Sequence, residues 1–386
     1  MKGNSKLKSS FHKIILALLL MPFAAIADWG LNMTQGVTPI SQEIYDMHML
    51  TLWVVTIIGI LVFGVMFWSI FHHRKSKGVK PAKFSHSTTV EIIWTIIPLI
   101  IITSLAIPAT KLLIKMDDTS EAQVTVKATG SQWKWKYDYL DEGLTIYSVL
   151  DENSTEVSQL NSGKDPMQSE NYLLDVDEPI VLPINTKIRI LTTAADVIHA
   201  WWVPDLGWKR DAIPGYINDN WAVIEKPGVY RGQCAEICGK GHGYMPIVVK
   251  AVTMEEYTAW VSEKKLAQAA EKNTSEMVLT MEELMTKGES VYKAQCLACH
   301  QANGQGIKGV FPALVKSPVA VDSDKRLIHI QQIILGKNLM PAFGEQLSDV
   351  DIAAVTTYER NAWGNDTGDI VQAKEVSEAR PQAKAN

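Results

Sequence analysis

Two long apolar runs near the start of this 386-residue chain restrict its fold more than any other feature. They cover residues 50–71 and 90–114. A helix rises about 1.5 Å per residue, so ~22 residues reach about 33 Å, enough to cross the hydrocarbon core of a bilayer. The two runs predict a transmembrane helical hairpin. Because two helices form only a small bundle, we expect the hairpin to pack on a larger membrane partner.

The segment between the runs, residues 72–89, sets the orientation of the hairpin. It contains no acid and many basic or imidazole side chains, among them His72, His73, Arg74, Lys75, Lys77, Lys80 and Lys83. Short loops rich in positive charge stay in the cytoplasm. We therefore expect a multi-pass protein of the bacterial inner (plasma) membrane, with residues 28–49 and everything after about residue 115 in the periplasm.

The first 27 residues predict a secretory signal peptide. Four lysines precede the apolar run 14–24, and the small-x-small sequence Ala25-Ile26-Ala27 precedes Asp28. A basic start, a short apolar core and small residues at the end are the three parts of such a signal. The alternative is a short membrane anchor that stays in the mature chain.

Residues 119–254 change the pattern from long apolar runs to short alternating segments. Val124–Val126 and Gln132–Tyr139 alternate apolar and polar side chains, and later β-branched runs are separated by glycine and proline. Period-two alternation between turn residues is typical of strands. This part of the chain therefore predicts an antiparallel β-sandwich or barrel.

All four cysteines of the chain lie in two short motifs, and the first motif is in this β-rich part. Cys234 and Cys238 are separated by three residues, and further candidate ligands surround them. Thiolate, imidazole and thioether together suit copper in an electron-transfer site. Two cysteines on one loop can bridge two copper ions. The candidate ligands are His199, Cys234, Glu236 (through its backbone carbonyl), Cys238, His242 and Met245.

Two other interpretations of this motif remain. A disulfide or a pair of buried thiols is common for two cysteines in a periplasmic protein. The histidine at +4 and the methionine at +7 from Cys238 argue against that interpretation. Zinc would accept two cysteines and two histidines, but it gains nothing from a methionine.

The second motif, Cys296-x2-Cys299-His300, is the attachment sequence of c-type haem. It predicts two thioether bonds to the haem and His300 as the proximal iron ligand. Met340, in a Met-Pro loop well downstream, is the candidate sixth ligand, and core packing is the alternative for it. His329 lies in an apolar helical run, where we expect a packed or partly exposed helix residue.

The haem motif belongs to a third part of the chain. Residues 277–363 resemble a class I cytochrome c, with Thr280 as a predicted N-cap. A helical linker, residues 255–276, precedes this part. A polar tail, residues 364–386, follows it, and we expect that tail to be disordered.

The first two thirds of the chain resemble subunit II of the haem–copper cytochrome c oxidases. The resemblance lies in the segments TVEIIWTIIP (89–98), QWKW (132–135), DVIHAWWVPDLGWKRDAIPG (196–215) and CAEICGKGHGYM (234–245). It implies a cupredoxin fold, a Greek-key barrel, holding a dinuclear copper centre (Cu-A) on the six ligands named above. Quinol-oxidising members of the family lack these ligands, so the donor implied here is a cytochrome.

The same resemblance implies three further roles. Trp133 matches the tryptophan that accepts electrons from the donor. The carboxylate of Glu236 would reach a magnesium ion shared with subunit I. Glu91 matches the mouth of a proton channel into subunit I, although a carboxylate at that depth can also extend to the lipid headgroups.

The expected protein is therefore multidomain: a two-helix transmembrane hairpin, an all-β cupredoxin and an all-α class I cytochrome c. We expect it to pass electrons from reduced cytochrome c, through its own haem and the dicopper centre, to subunit I of a proton-pumping terminal oxidase. Subunit I would carry haem a and the haem–copper site that reduces oxygen to water. Subunit III, a cytochrome c donor and membrane lipid are the other expected partners, and nucleic acid is not among them. The alternative is a membrane-anchored carrier for a nitric or nitrous oxide reductase.

An acidic stretch, residues 141–178, has ten carboxylates against one base, Lys164. Such a stretch can be a solvated loop. It can also be a docking face that steers a basic cytochrome toward the protein.

Overall fold

The computed structural model of the chain describes residues 32–80, 83–274 and 278–384. The predicted signal peptide, residues 1–27, lies outside the described residues. The chain divides into a short unit that ends at Thr34 and a compact unit that begins at Gln35. All the elements below belong to the second unit.

Two apolar helices form the predicted hairpin. Helix α1 covers Pro39–His72 and α2 covers Thr88–Asp117, and both are long and apolar enough to cross a membrane. Their apolar windows are exposed along the whole length, which leaves these surfaces for lipid or for a partner. Pro98 and Pro108 both lie inside α2.

Helix α1 begins well before the predicted span, inside the segment expected to be the N-terminal periplasmic stretch. Thr38 is its N-cap, and its side chain accepts a hydrogen bond from the backbone N–H of Ser41 at 3.0 Å. Pro39 occupies the first helical position, where its missing N–H has no consequence. The Thr38 hydroxyl also donates to the Leu206 carbonyl at 3.1 Å, and Val37 joins the core of the following domain.

Ten strands form two sheets, and we call this part, residues 124–252, the β module. The strands are β1 Val124–Ser131, β2 Lys134–Tyr139, β3 Leu144–Ser148, β4 Ile180–Pro183, β5 Lys187–Ala194, β6 His199–Trp202, β7 Lys209–Ala212, β8 Asn218–Val223, β9 Gly228–Cys234 and β10 Pro246–Val252. One sheet has the order β3-β2-β1-β5-β8 and the other β4-β10-β9-β6-β7. Buried side chains alternate along β1 and β5, as the sequence predicts, and the side chains of both sheets share one core.

The β module differs from the expected antiparallel arrangement at two pairings. β1 runs parallel to β5, and β4 runs parallel to β10. Alternation in a sequence shows which side chains are buried, but it carries no information about which strand lies alongside. The long connections between these strands provide the crossovers that parallel pairs need.

Short helices and one long helix complete and follow the β module. Helix α3 covers Glu152–Val157, and the helical linker is present as α4, Met254–Thr274. Tyr257 and Val261 of α4 are buried in the core of the β module. Single 3-10 turns cover Lys75–Lys77, Pro166–Gln168, Pro204–Leu206, His242–Tyr244 and Ser323–Lys325.

The C-terminal part is a helical module, residues 278–384. Its helices are α5 Met281–Gln295, α6 Leu297–His300, α7 Pro318–Val321, α8 Arg326–Leu335, α9 Asp349–Asn361 and α10 Ala373–Lys384. Thr280 caps α5 in a capping box with Glu283, which confirms the predicted N-cap. α5 and α9 pack so closely at Gly288 that a Cβ there would lie 2.2 Å from the Ala354 carbonyl oxygen.

The prediction of a disordered tail is wrong for the described residues. After α9 the chain turns back, Val371 is buried just before α10, and α10 packs on the helical module with Val376 and Ala379 buried. Arg380 donates to the carbonyl oxygen of Leu347 at 2.9 Å and also bonds Asp349. The polar composition concealed a short apolar face that has a core to pack against.

Candidate metal and haem sites

The six candidate metal ligands meet at one end of the β module. The Sγ atoms of Cys234 and Cys238 are 3.8 Å apart. Cys234 Sγ lies 3.9 Å from His199 Nδ1, and Cys238 Sγ lies 3.5 Å from His242 Nδ1 and 3.6 Å from Met245 Sδ. The Glu236 carbonyl oxygen lies 3.4 Å from Cys234 Sγ.

These separations fit a shared metal site and not a disulfide. A disulfide joins its sulfurs at about 2.05 Å, and both cysteines here are free and buried. Metal–thiolate bonds are about 2.3 Å long, so two sulfurs separated by 3.8 Å can both reach one ion. His199, Cys234 and Cys238 place their ligand atoms within 4.8 Å of one another. The donor set of thiolate, imidazole and thioether suits copper.

Strand pairing and one loop build this cluster. β9 ends at Cys234, and β6 begins at His199 on the neighbouring strand, with Trp201 opposite Cys234. The loop that follows β9 supplies Cys238 and His242 before β10 begins, so sheet geometry fixes one half of the site and loop geometry the other half.

Asp196 is a residue of the site that the sequence analysis did not identify. Its carboxylate lies 3.0 Å from His199 Nε2, which leaves Nδ1 directed toward the cysteines. Burial acts to lower the pKa of His199, but hydrogen bonds to Asp196 and Cys234 outweigh it and raise the pKa. Carboxylates that bond a ligating imidazole in this way fix its orientation. Its place three residues before His199 was the available sequence signal.

The two thiols influence each other's protonation. The hydrogen bond from Cys238 lowers the pKa of Cys234, and the same contact raises the pKa of Cys238. Burial raises the pKa of both. The Cys234 thiol therefore loses its proton at a lower pH than the Cys238 thiol.

Trp133 lies directly on the loop that carries Cys238. Its indole Nε1 donates to the Cys238 carbonyl at 3.2 Å, and the Gln132 side chain donates to the same oxygen at 2.7 Å. A Cβ on Gly241 would lie 2.3 Å from the Trp133 ring, so only glycine allows this contact. The structure thus brings the predicted electron-accepting tryptophan against a metal-ligand loop.

A cavity of about 930 Å³ lies between the β module and the helical module, and we call it the intermodular cavity. Its lining includes Cys296, Cys299, His300 and Met340 from one side and Trp133 from the other. His300 Nδ1 lies 2.9 Å from the Pro312 carbonyl oxygen, which leaves Nε2 as the free ring nitrogen. Two thiols, one imidazole nitrogen and a thioether around a cavity of this size fit a covalently attached haem.

The helical module also contains a buried polar pair that sequence reasoning missed. His329 Nε2 lies 2.8 Å from Glu359 Oε2, and both side chains line the intermodular cavity while remaining at most 5% exposed. His329 is thus a packed helix residue, as expected. Glu359 could have been found as the one acid on the buried stripe of α9, after Ile352 and Val355.

Glu91 and the carboxylate of Glu236 are not brought into these sites. Glu91 lies in the first turn of α2, about 39 Å along the helix from its end at Asp117. The roles of Glu91 in a proton channel and of the Glu236 carboxylate at a magnesium ion remain predictions.

Three segments of the chain match known protein families. Residues 26–112 match the family described as cytochrome c oxidase subunit II, transmembrane domain, and residues 124–252 match the periplasmic domain of the same subunit. Residues 283–358 match the family described as cytochrome c oxidase, cbb3-type, subunit III.

Individual relatives agree with these matches. Cytochrome c oxidase subunit 2 of Arabidopsis thaliana is 39% identical over 66% of this chain and 97% of its own length. Probable cytochrome c oxidase subunit 2 of Rickettsia bellii is 38% identical over 64% of this chain and 88% of its own. The solved periplasmic domain of subunit II of cytochrome oxidase from Bradyrhizobium japonicum is 38% identical, with a TM-score of 0.34, over 39% of this chain and 98% of that domain.

Proposed function

Because this chain belongs to the cytochrome c oxidase subunit II family and carries a cytochrome c domain at its C-terminal end, we propose that it is the electron-accepting subunit of a proton-pumping terminal oxidase. Electrons from reduced cytochrome c would enter through its haem and leave through a dinuclear copper centre to subunit I. The observation that carries the proposal is the position of Trp133, between the intermodular cavity and the cysteine loop.

We assign the copper site to the six converging residues. Cys234 and Cys238 would bridge two copper ions, with His199 and His242 as one imidazole ligand each. Met245 and the Glu236 carbonyl would be the weak ligands. Copper in such a set supplies one-electron redox chemistry. Asp196 orients His199, and the surrounding buried side chains exclude water from the sulfurs.

We assign the haem site to Cys296, Cys299, His300 and Met340. The hydrogen bond of His300 to Pro312 holds the imidazole ring in place. Trp133 and Gln132 line the intermodular cavity and both bond the Cys238 carbonyl, so the cavity wall directly contacts the backbone of a candidate copper ligand. This arrangement supports a short electron path inside one polypeptide.

The hairpin supports the proposed partners and location. Its exposed apolar surfaces would pack on subunit I in the bacterial inner membrane, with subunit III and lipid around them. The β module and helical module would then stand in the periplasm. Glu91 would lie at the cytoplasmic end of α2 as the proton-channel mouth, and the Glu236 carboxylate would hold a magnesium ion shared with subunit I.

Metal and haem analysis of the intact membrane protein tests the proposal. We expect two coppers and one covalent haem per chain, with an oxidase subunit I that co-purifies. Cys234→Ser should abolish the delocalised copper signal in EPR. Ile237→Ala changes an 80% exposed residue between the two cysteines, and it should leave the signal unchanged. Zinc in place of copper, or a disulfide between Cys234 and Cys238, would contradict the assignment.

A further inference from the structure

Lys134 is a buried cation at the boundary between the two modules. It is the first residue of β2 and is only 6% exposed. Its ammonium donates to Gln346 Oε1 of the helical module. It also lies 4.4 Å from the centre of the Phe343 ring of that module and 5.7 Å from the Tyr147 ring of its own module. The helical module therefore supplies the amide partner and the nearer ring around this charge.

The contacts of Lys134 continue to both sides of the haem site. Gln346 in turn donates to Gln295 at 2.6 Å, and Gln295 directly precedes Cys296. Phe343 lies three residues after Met340, and its backbone is tied to α8 by a 3.0 Å bond to the Ile333 carbonyl. Lys134 thus contacts the segment that follows the candidate sixth ligand directly, and it is linked through Gln346 to the segment that carries the attachment cysteine.

The other contacts across this boundary are weaker. Lys136 lies 3.4 Å from Glu345, but the Glu345 side chain is 86% exposed, and exposed pairs contribute little. Lys240 lies 5.7 Å from the centre of the Phe311 ring. Of these three lysines, Lys134 is therefore the one that is both buried and adjacent to Trp133.

A buried charge affects which orientation of the helical module is favoured more than it stabilises the contact between the modules. An ammonium taken out of water is costly unless its donors are bonded, and the loss of a partner leaves that penalty uncompensated. A rotation of the helical module that kept the ammonium covered but moved Gln346 and Phe343 away would leave it without these partners. Among orientations that cover Lys134, the observed one supplies them.

We propose that Lys134 is a positioning residue that selects the docked orientation of the helical module, in which the intermodular cavity opens onto Trp133. The inference rests on the proposed function, because the orientation matters for electron transfer from the haem to the copper centre. It identifies a surface of this chain, made by Lys134, Gln346 and Phe343, as the device that aligns the two redox sites.

The test is a cycle of variants in the assembled oxidase. Gln346→Leu leaves the ammonium buried without its amide partner, so it should disturb docking most. Lys134→Met removes the charge and keeps the apolar stem, so it should disturb docking less. The double variant should resemble Lys134→Met, because no charge is left to discriminate. Lys127→Met, which removes a β-module lysine paired with Asp138 at 3.0 Å, is the control.

Two measurements follow each variant. Hydrogen exchange of the backbone amides in β2 and in residues 343–347 reports docking without any electron transfer. Rapid photoreduction of the haem, followed by its reoxidation, reports transfer to copper. For Gln346→Leu we expect faster exchange at both faces and transfer slowed about tenfold or more, and a tenfold fall in the docked population corresponds to about 1.4 kcal/mol. Copper and haem spectra and the haem reduction potential should remain unchanged.

Additive effects, or wild-type behaviour of both single variants, would overturn the inference. If Lys134→Met fails to take up copper, the result for Gln346→Leu alone tests the inference, because that substitution lies in the helical module. A wild-type complex that shows no transfer from haem to copper at all would instead contradict the proposed function.

Discussion

Asp196 shows, at the scale of single residues, how a side chain outside the ligand set controls a metal site. It holds His199 through a 3.0 Å contact to the ring nitrogen that faces away from the cysteines. It also accepts the backbone N–H of Gln132 at 2.8 Å, the residue before Trp133. One carboxylate therefore orients a ligand and fixes the strand end beside the electron-accepting tryptophan.

Asp196→Ala should weaken copper binding by about 10- to 100-fold, because the His199 ring loses the group that orients it. Competition with a copper chelator, followed through the copper absorption, measures the change. Asp165→Asn, an exposed acid elsewhere in the β module, is the control and should bind copper normally. Equal affinities of the two variants would remove Asp196 from the site.

Lys134 gives docking a pH dependence of known sign. Burial lowers the pKa of Lys134 from its ordinary 10.5 to about 8, and Asp196 partly opposes the shift. Between pH 8 and 10.5 the docked lysine is neutral while the exposed lysine is charged, so docking releases a proton. Docking should therefore strengthen as pH rises through this window and be constant below it.

Hydrogen exchange of β2 as a function of pH, corrected for the intrinsic exchange rate, measures this dependence. Lys134→Met should show no pH-dependent protection over the same window. A wild-type protein whose protection stays flat above pH 8 would show that the lysine remains charged when docked.

The residues that the sequence identified lie close to their partners in the chain, whereas those that it missed interact with residues distant in sequence. Cys296, Cys299 and His300 are adjacent in the chain, so a motif finds them. Gln346 bonds a partner distant in sequence, Lys134, and no local pattern reveals that pairing. The buried stripe of α9 could identify Glu359 itself, but not its partner His329, which lies 30 residues away.

At the scale of elements, helix α10 is ordered although its composition predicts disorder. The segment after residue 364 is polar on average, which predicts disorder. Ala373, Val376 and Ala379 are nevertheless buried at a spacing of three residues on one face of α10, and Arg380 binds the segment that carries Gln346. The sequence predicted the membrane helices, the linker helix and the alternating strands, because each of these has a strong local period. It did not predict the parallel strand pairs or α10, because both depend on a partner elsewhere in the chain.

Val376→Ala should destabilise the helical module by about 1.5 kcal/mol, because Val376 is fully buried. Denaturant unfolding followed by the haem absorption measures the change. Glu378→Ala, an exposed position on the same helix, should change the free energy of unfolding by less than about 0.5 kcal/mol. If the two variants are equally stable, α10 contributes nothing to the module.

The acidic stretch, residues 141–178, concerns the whole molecule, because it could meet an outside partner. The structure pairs several of its carboxylates with cations of the same chain. Asp175 meets Arg231 at 3.0 Å, Glu142 meets Lys265 at 3.6 Å, and Glu178 bonds Lys264. Glu152 and Glu170 are exposed and are the candidates for an external contact.

If these exposed acids steer a basic cytochrome, the association rate constant should fall as ionic strength rises. Stopped-flow reduction of the haem by cytochrome c at several salt concentrations measures it, and Glu170→Lys should lower the rate at low salt. A rate that is independent of salt would leave the stretch as a solvated loop.

The N-terminal end of α1 has a practical consequence for anyone who divides this protein. Val37 is part of the β-module core, and Thr38 bonds Leu206, although both residues precede the first membrane helix. A water-soluble fragment that begins after α2 would lack these residues and would expose the apolar core surface that Val37 covers. Such a fragment should aggregate more readily and unfold at a lower temperature than the intact protein, unless a short peptide matching residues 35–41 is added to it.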